Sequence, residues 1–200
     1  MSHPKQERTL VLIKPDGVQR SLIGEIIHRF ERVGLKFLAL KMIIPTKKQA
    51  ENFYPSNEEW FLSVGNKTIK GYEAKGIKLD RSPLKQGKFV KKILVDFMTS
   101  GPIVAIVLQG NEAVKIVRKL VGSTEPLSSD VGTIRGDFNI DSYTMADVDQ
   151  RAVRNLVHAS ESVNEAEREL KCWFKEEKIL RYNLVQDKIL YDVNLDGIKE

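Results

Sequence analysis

Cysteine and histidine are scarce in this chain: Cys172 stands alone, and His3, His28 and His158 are the only imidazoles in 200 residues. A lone cysteine excludes an internal disulfide, and one Cys with three His excludes a structural zinc site of the usual four ligands. An unpaired thiol fits a reducing, cytosolic compartment. Long apolar runs are missing as well. The longest, Ile103 to Leu108, is far short of the roughly 20 residues of a membrane helix. Met1 to Glu7 has no apolar stretch behind its charges, so neither a secretory signal nor a transit peptide is expected, and Asn66-Lys67-Thr68 is an idle sequon. No Walker A sequence, GxGxxG or RNP-type aromatic motif occurs, which leaves the standard phosphate loops and RNA-binding faces without support. Internal repeats and low-complexity segments are also absent.

What is present is a globular composition, 42% hydrophobic and 30% charged, in a length that fits a single domain over residues 1–200. Net charge is +5 and unevenly spread. Between Phe61 and Lys92 nine cations face only Glu73 and Asp80, so the rest of the chain is net negative. The surplus is local, which weakens a general nucleic-acid reading.

Thr9 to Lys14 reads as a buried strand stopped by Pro15-Asp16-Gly17, with a loop to follow. Ile23, Ile26, Ile27, Phe30 and Val33 form a helical stripe ending at Gly34, and Leu35 to Ile44 is a second strand. Thr46 to Gln49 has the form of a capping box opening a short helix closed by Pro55. From Pro55 to Lys88 the periodicity is poor, and the stretch reads as an irregular, partly helical surface excursion outside any catalytic centre. Phe89 to Met98 is helical, Ile103 to Leu108 a third strand, and a helix capped at Asn111 runs to Gly122. Ser123 to Asp141 is a long turn-rich loop of the kind compact domains keep for function. Leu156 to Ala159 is a last short strand, and Ser162 to Glu165 a capping box before a helix whose apolar stripe carries Glu169 on its flank. This order predicts an α+β fold, with helices on one face of a small antiparallel sheet.

His158 sits at a strand end before a capped helix, where an imidazole reads either as a hydrogen-bonded structural group or as a nucleophile. Strand alternation puts Leu156, His158 and Ser160 on one face and Asn155 on the other. Glu169 is a candidate to hold the ring or a plain exposed helical carboxylate. Lys14 is a strand-end cation. Arg118 on its helix and Arg135 in the long loop are common surface residues unless they face each other, when they would form a two-sided anion clamp with the Thr124 hydroxyl.

Taken together, Glu7 to Arg20, Gly24 to Ile27, Ser100 to Pro102, Gly132 to Phe138 and Asn155 to His158 closely resemble the signature segments of nucleoside diphosphate kinases, in that family's order. The resemblance implies a ferredoxin-like α/β sandwich with a four-stranded antiparallel sheet, a Mg²⁺-bound nucleoside triphosphate, ping-pong transfer through a phosphohistidine, and a cytoplasmic homo-oligomer, usually a hexamer or tetramer. By position it implies that His158 is the nucleophile and that Lys14, Tyr54, Arg118, Thr124, Arg135 and Asn155 surround phosphates and ribose. Ser160 and Glu169 support the histidine.

The chain departs from the family pattern in four places. The usual His-Gly-Ser-Asp reads His158-Ala-Ser-Glu161, with Glu161 able to reach the metal through water. Tyr54 and Ser100 are 46 positions apart, more than the family's spacing, so residues 55–88 read as inserted and Phe89 is the candidate base-stacking aromatic. Residues 141–152 also read as inserted, and 175–200 as a C-terminal extension. Two other readings remain open at this level: a basic nucleotide- or nucleic-acid-binding protein on the same fold, and insertions that serve subunit contacts.

Overall fold

The computed structural model of the chain describes residues 4–194 and 196; His3, and Leu195 with 197–200 of the expected extension, lie outside the described residues. Strands β1 (Glu7–Ile13), β2 (Lys36–Ile43), β3 (Ile103–Gly110) and β4 (Val157–Ala159) form one antiparallel sheet in the order β2-β3-β1-β4. This is the ferredoxin-like arrangement expected. Helices α1 (Pro15–Gln19) and α2 (Ile23–Glu31) join β1 to β2, and α3 (Lys47–Phe53), α4 (Glu58–Glu73) and α5 (Pro83–Met98) join β2 to β3. Helices α6 (Ala113–Val121), α7 (Ile134–Phe138) and α8 (Tyr143–Val148) precede β4, while α9 (Val163–Trp173) and α10 (Asp187–Leu190) follow it.

The sheet is covered on both faces, not one. Val11 and Ile13 of β1 join Val104, Ile106 and Leu108 of β3 in a core closed by Ile26 and Phe30 of α2 and Val117 of α6. Leu10 and Leu12 alternate to the other side, where Ala105 and Val107 meet Phe53 of α3, Met98 of α5 and Trp173 of α9. Both parities of β1 and β3 are apolar because both sides are buried, which is why these strands read as continuous rather than alternating runs.

Local corrections follow from tertiary partners. The Pro15-Asp16-Gly17 turn winds into α1, with Pro15 at the first helical positions, where a missing N–H costs nothing. The Asn111 cap is not used: Glu112 sits at the helix boundary with φ 43°, and the Glu7 carboxylate accepts from Val114 N at 2.9 Å. At Ser162 only half the box forms, since the Glu165 carboxylate accepts from Glu161 N rather than from the cap residue. The Thr46–Gln49 box is complete. The tail lies along β2, with Leu180 N donating to Leu38 O at 2.9 Å and Lys36 paired to Asp187 at 2.8 Å.

The largest difference lies in residues 55–88. They form a helical hairpin, α4 against the N-terminal half of α5, capped by Asn57 and Ser82. Periodicity misses it because glycine, not an apolar stripe, makes the contact: an added Cβ would lie 1.9 Å from Pro83 O at Gly65 and 2.0 Å from Phe61 O at Gly87. Gly71, on the same helix, has open space. Gly71→Ala should therefore raise stability by about 0.5–1 kcal/mol through helix propensity. Gly65→Ala should lower it by about 1–3 kcal/mol through overpacking, and opposite signs in paired thermal melts check this.

Candidate active site

His158 occupies the middle of β4, opposite Leu12 of β1, on the sheet face away from Val157 and Ala159. Its Nε2 lies 2.9 Å from Glu169 Oε2 on α9, and Ser160 Oγ donates to the same oxygen at 2.6 Å. A carboxylate oxygen accepts, so the proton sits on Nε2 and the Nδ1 lone pair is left for chemistry. The Phe53 ring packs edge-on against the imidazole with centroids 4.9 Å apart, fixing its plane. Glu169 is buried, not exposed. Burial alone would raise its pKa, but the hydrogen bonds from His158 and Ser160 outweigh that and hold it below the usual carboxylate range.

Strand alternation fails one residue before β4. Leu156 has φ 63°, and Val157 N donates back to Asn155 O at 2.7 Å, closing a three-residue turn. Such a residue costs about 1–3 kcal/mol and persists only where its surroundings hold it. Leu156 N donates to Asp16 Oδ2 at 3.0 Å, and Leu156 O accepts from Lys14 N at 2.8 Å. The turn sends Leu156 into the α2/α6 core and brings Asn155 to Lys14, whose Nζ donates to Asn155 Oδ1 at 2.7 Å. Asn155 Nδ2 in turn donates to Thr124 O at 2.8 Å.

Lys14 is buried with an amide, not a carboxylate, as its hydrogen-bond partner. Burial, then the charge of Arg135, pulls its pKa from 10.5 down to about 8, against the opposing charge of Asp16. Arg135 lies below the surface and its pKa falls to about 10, chiefly by burial. The expected two-sided clamp is only half formed. Arg135 donates to Asn155 O, Gly122 O, Ser123 O and Val157 O, which uses four of its five N–H groups. These carbonyls belong to the end of α6 and the segment around β4, where backbone pairing runs out. Arg118 is half exposed, 3.9 Å from Glu161.

Lys14, Tyr54, Phe89, Arg118, Thr124 and Arg135 share one cavity of about 630 Å³ with Asn155, His158 and Glu161. Ser160 and Glu169 stand behind the histidine. Burial and the Glu169 charge push the Tyr54 phenol above its usual range. Phe89 carries the Arg81 guanidinium over its ring, 4.2 Å from the centroid.

Residues 55–88 and 141–152 both line the same cavity, so residues 55–88 do not lie outside it. Trp60, Lys67 and Tyr72 come from α4 and Lys75 from the turn after it, and Tyr143 and Asp147 from α8. They also meet each other: Lys75 Nζ is 2.7 Å from Asp147 Oδ2, and Gln150 Nε2 donates to Tyr72 Oη at 3.3 Å. A two-pronged pair, Arg151 to Asp141 at 2.7 and 3.0 Å, ties the ends of residues 141–152 together.

Residues 7–64 and 83–179 match the family model described as nucleoside diphosphate kinase. The chain belongs to the nucleoside diphosphate kinase family. It is 54% identical over 179 residues to the nucleoside diphosphate kinase of Pyrobaculum aerophilum, covering 87% of this chain and 98% of the relative. With the enzyme of Archaeoglobus fulgidus it shares 39% over 186 residues, 93% and 98% of the two chains. The solved NDP kinase from Pyrobaculum aerophilum superposes with a TM-score of 0.86 at 51% identity, covering 88% of this chain and all of the other. The Borrelia burgdorferi enzyme, solved as a transition-state mimic with vanadate and ADP, gives 0.78 at 33% identity, with coverage of 94% and 99%. Every residue the sequence singled out for the site falls in the two segments matched to the nucleoside diphosphate kinase family, whereas Lys67, Tyr72 and Lys75 fall in the gap between them. Phe53, Asp16 and Tyr72 were missed. Only the apolar helix end at Phe53 and the turn at Asp16 were visible as signals, and neither indicates a cavity wall.

Arg135→Met should cost at least about 3 kcal/mol of stability, because several buried carbonyls lose their donor at about 1–3 kcal/mol each. Denaturant unfolding of the nucleotide-free protein checks this; an arginine serving phosphate alone would leave that stability unchanged.

Proposed function

We propose that His158 Nδ1 is the nucleophile in the transfer of the γ-phosphoryl group of a nucleoside triphosphate to a nucleoside diphosphate. The observation that carries the reading is the Glu169–His158 pairing, which commits Nε2 to the carboxylate and leaves Nδ1 as the other ring nitrogen of a histidine that lines a cavity with Lys14 and Arg118. The Nδ1 lone pair attacks the γ-phosphorus, the bond to the β-phosphate bridging oxygen breaks, and the diphosphate leaves. Glu169 stabilises the ring's positive charge while Nε2 keeps its proton. A terminal oxygen of a second diphosphate then attacks the phosphoimidazole, the P–N bond breaks, and the neutral ring is restored.

In this reading Lys14 and Arg118 balance the charge spread over the phosphate oxygens, aided by the one N–H that Arg135 has left. Tyr54, Thr124 and Asn155 hold phosphate and ribose, with Phe89 toward the base. Magnesium arrives as part of the substrate, on the phosphates. Among the described residues no three His, Cys, Asp or Glu gather to hold an ion, while Glu161 stands exposed at the cavity wall, suited to reach a metal-bound water. Lys67 and Lys75 stand on the wall of a cavity of about 630 Å³, a size that suits a single nucleotide, so specific nucleic-acid binding is not part of this reading. Residues 1–200 act as one domain with two insertions. A homo-oligomer is supported by Leu40, Met42 and Ile44, exposed in alternation along the edge strand β2 and the residue after it. No helix among the described residues is long and apolar enough to cross a membrane, and the unpaired Cys172 fits a cytosolic setting.

Incubation with γ-labelled ATP and Mg²⁺ should give a label on the protein that is acid-labile, alkali-stable and discharged by a different diphosphate. His158→Ala should abolish the label and leave nucleotide binding largely intact. Turnover undiminished in that variant would sink the mechanism.

Lys14 gives a pH signature. Its proton is lost from the empty site above about pH 8, well below the 10.5 of an exposed lysine. An arriving phosphate favours the charged form, so nucleotide binding above about pH 8 should take up a proton. By the same sign, the unfolded chain holds more protons there, and this group adds stability as pH rises from about 8 toward 10.5. Calorimetry in buffers of different ionisation enthalpy reads the uptake, and Lys14→Gln should remove it.

A further inference from the structure

The Pro15-Asp16-Gly17 motif is used residue by residue at the active site. Pro15 opens α1, and Gly17 packs so closely that an added Cβ would lie 2.8 Å from Ile13 Cγ2 and 3.1 Å from Leu156 O. Asp16 Oδ2 accepts from Leu156 N, while Oδ1 is buried and accepts no hydrogen bond from the described residues. That carboxylate acts electrostatically on both Lys14 and Arg135, and neither cation has a carboxylate as a hydrogen-bond partner among the described residues. Asp16 takes no part in the transfer itself, yet it holds the left-handed turn from which Asn155 and His158 are set.

We propose that Asp16 is a positioning residue for phosphoryl transfer: it fixes the Leu156 turn that aims His158 and Asn155, and its carboxylate is the counter-charge to the buried Lys14 and Arg135. The inference rests on the reading of His158 as the nucleophile. The two functions separate chemically. An asparagine at this position retains an acceptor for Leu156 N but carries no charge; an alanine has neither. Lys14 is faced by Asp16 from α1 and Arg135 from α7, with Arg118 of α6, Tyr54, His158 and Glu161 on the remaining walls of the cavity. Asp16 is the group whose charge opposes that of Arg135 at Lys14.

The experiment is single-turnover phosphorylation of the full chain by γ-labelled MgATP across pH 6 to 10, for wild type, Asp16→Ala and Asp16→Asn, with nucleotide affinity measured in parallel. Asp16→Ala should slow label transfer by about 30- to 100-fold, the scale of a misplaced nucleophile, with a smaller loss of affinity at neutral pH, about three- to tenfold, from the displaced Asn155. Asp16→Asn should recover about tenfold of that loss. In both variants the high-pH limb should move down by about half a pH unit or more, because Lys14 loses its counter-charge. An Asp16→Ala rate within about threefold of wild type, or an Asp16→Asn variant as slow as Asp16→Ala with the limb unmoved, overturns the proposal. If Asp16→Ala does not fold, the position of the limb in Asp16→Asn decides it. A wild-type chain that takes no label removes the His158 reading, and this one with it.

Discussion

Strand β4 is three residues long, lies at an edge of the sheet and pairs only with β1. Its backbone and the turn before it therefore need partners that the sheet cannot supply, and an unpaired buried peptide group is costly. The site's own side chains supply them. Arg135 donates to Asn155 O and Val157 O, and Asp16 accepts from Leu156 N. The constraint that β4 be satisfied is thus also what holds His158 in place, and Arg135, which bonds this short strand, lines the cavity beside it.

Charge is distributed around His158 so that each side of the ring meets a different environment. Behind it, Glu169 is buried and stays ionised through hydrogen bonds from His158 and Ser160. In the cavity, Lys14 and Arg135 carry positive charge bonded only to amide and carbonyl oxygens. A cation paired with a carboxylate would have to exchange that partner for an incoming phosphate. Lys14 need only share its Asn155 amide, and fixed donors of this kind require little reorganisation as charge develops. Burial, then the charge of Arg135, lowers the Lys14 pKa in that arrangement.

Residues 55–88 and 141–152 extend the same cavity. Glycine contacts bring the α4/α5 hairpin together, and its Tyr72 and Lys75 reach α8 and Gln150. Two segments about 75 residues apart in sequence thus form one wall. Aromatic and lysine side chains from outside the family-matched segments face the space that the family's own residues line.

Local chemistry was legible in the residues themselves. The strands β1 and β3, the Thr46 to Gln49 box, the glycine stops at Gly34 and Gly122, and the motif positions of Lys14, Asn155 and His158 all follow from short-range rules and from signature segments. What they could not show depends on partners distant in the chain. The left-handed Leu156 moves Asn155 beside Lys14, against strand alternation, because Asp16 stands 140 positions away to receive its N–H. Glu169 is a buried carboxylate only because β4 brings His158 and Ser160 to α9. Arg135 serves four backbone carbonyls only because α6 and β4 both end beside it. Periodicity and caps are set by sterics and hydrogen bonds within a few residues. Burial, and the partners of a charged group, are set by which segments the folded sheet brings together.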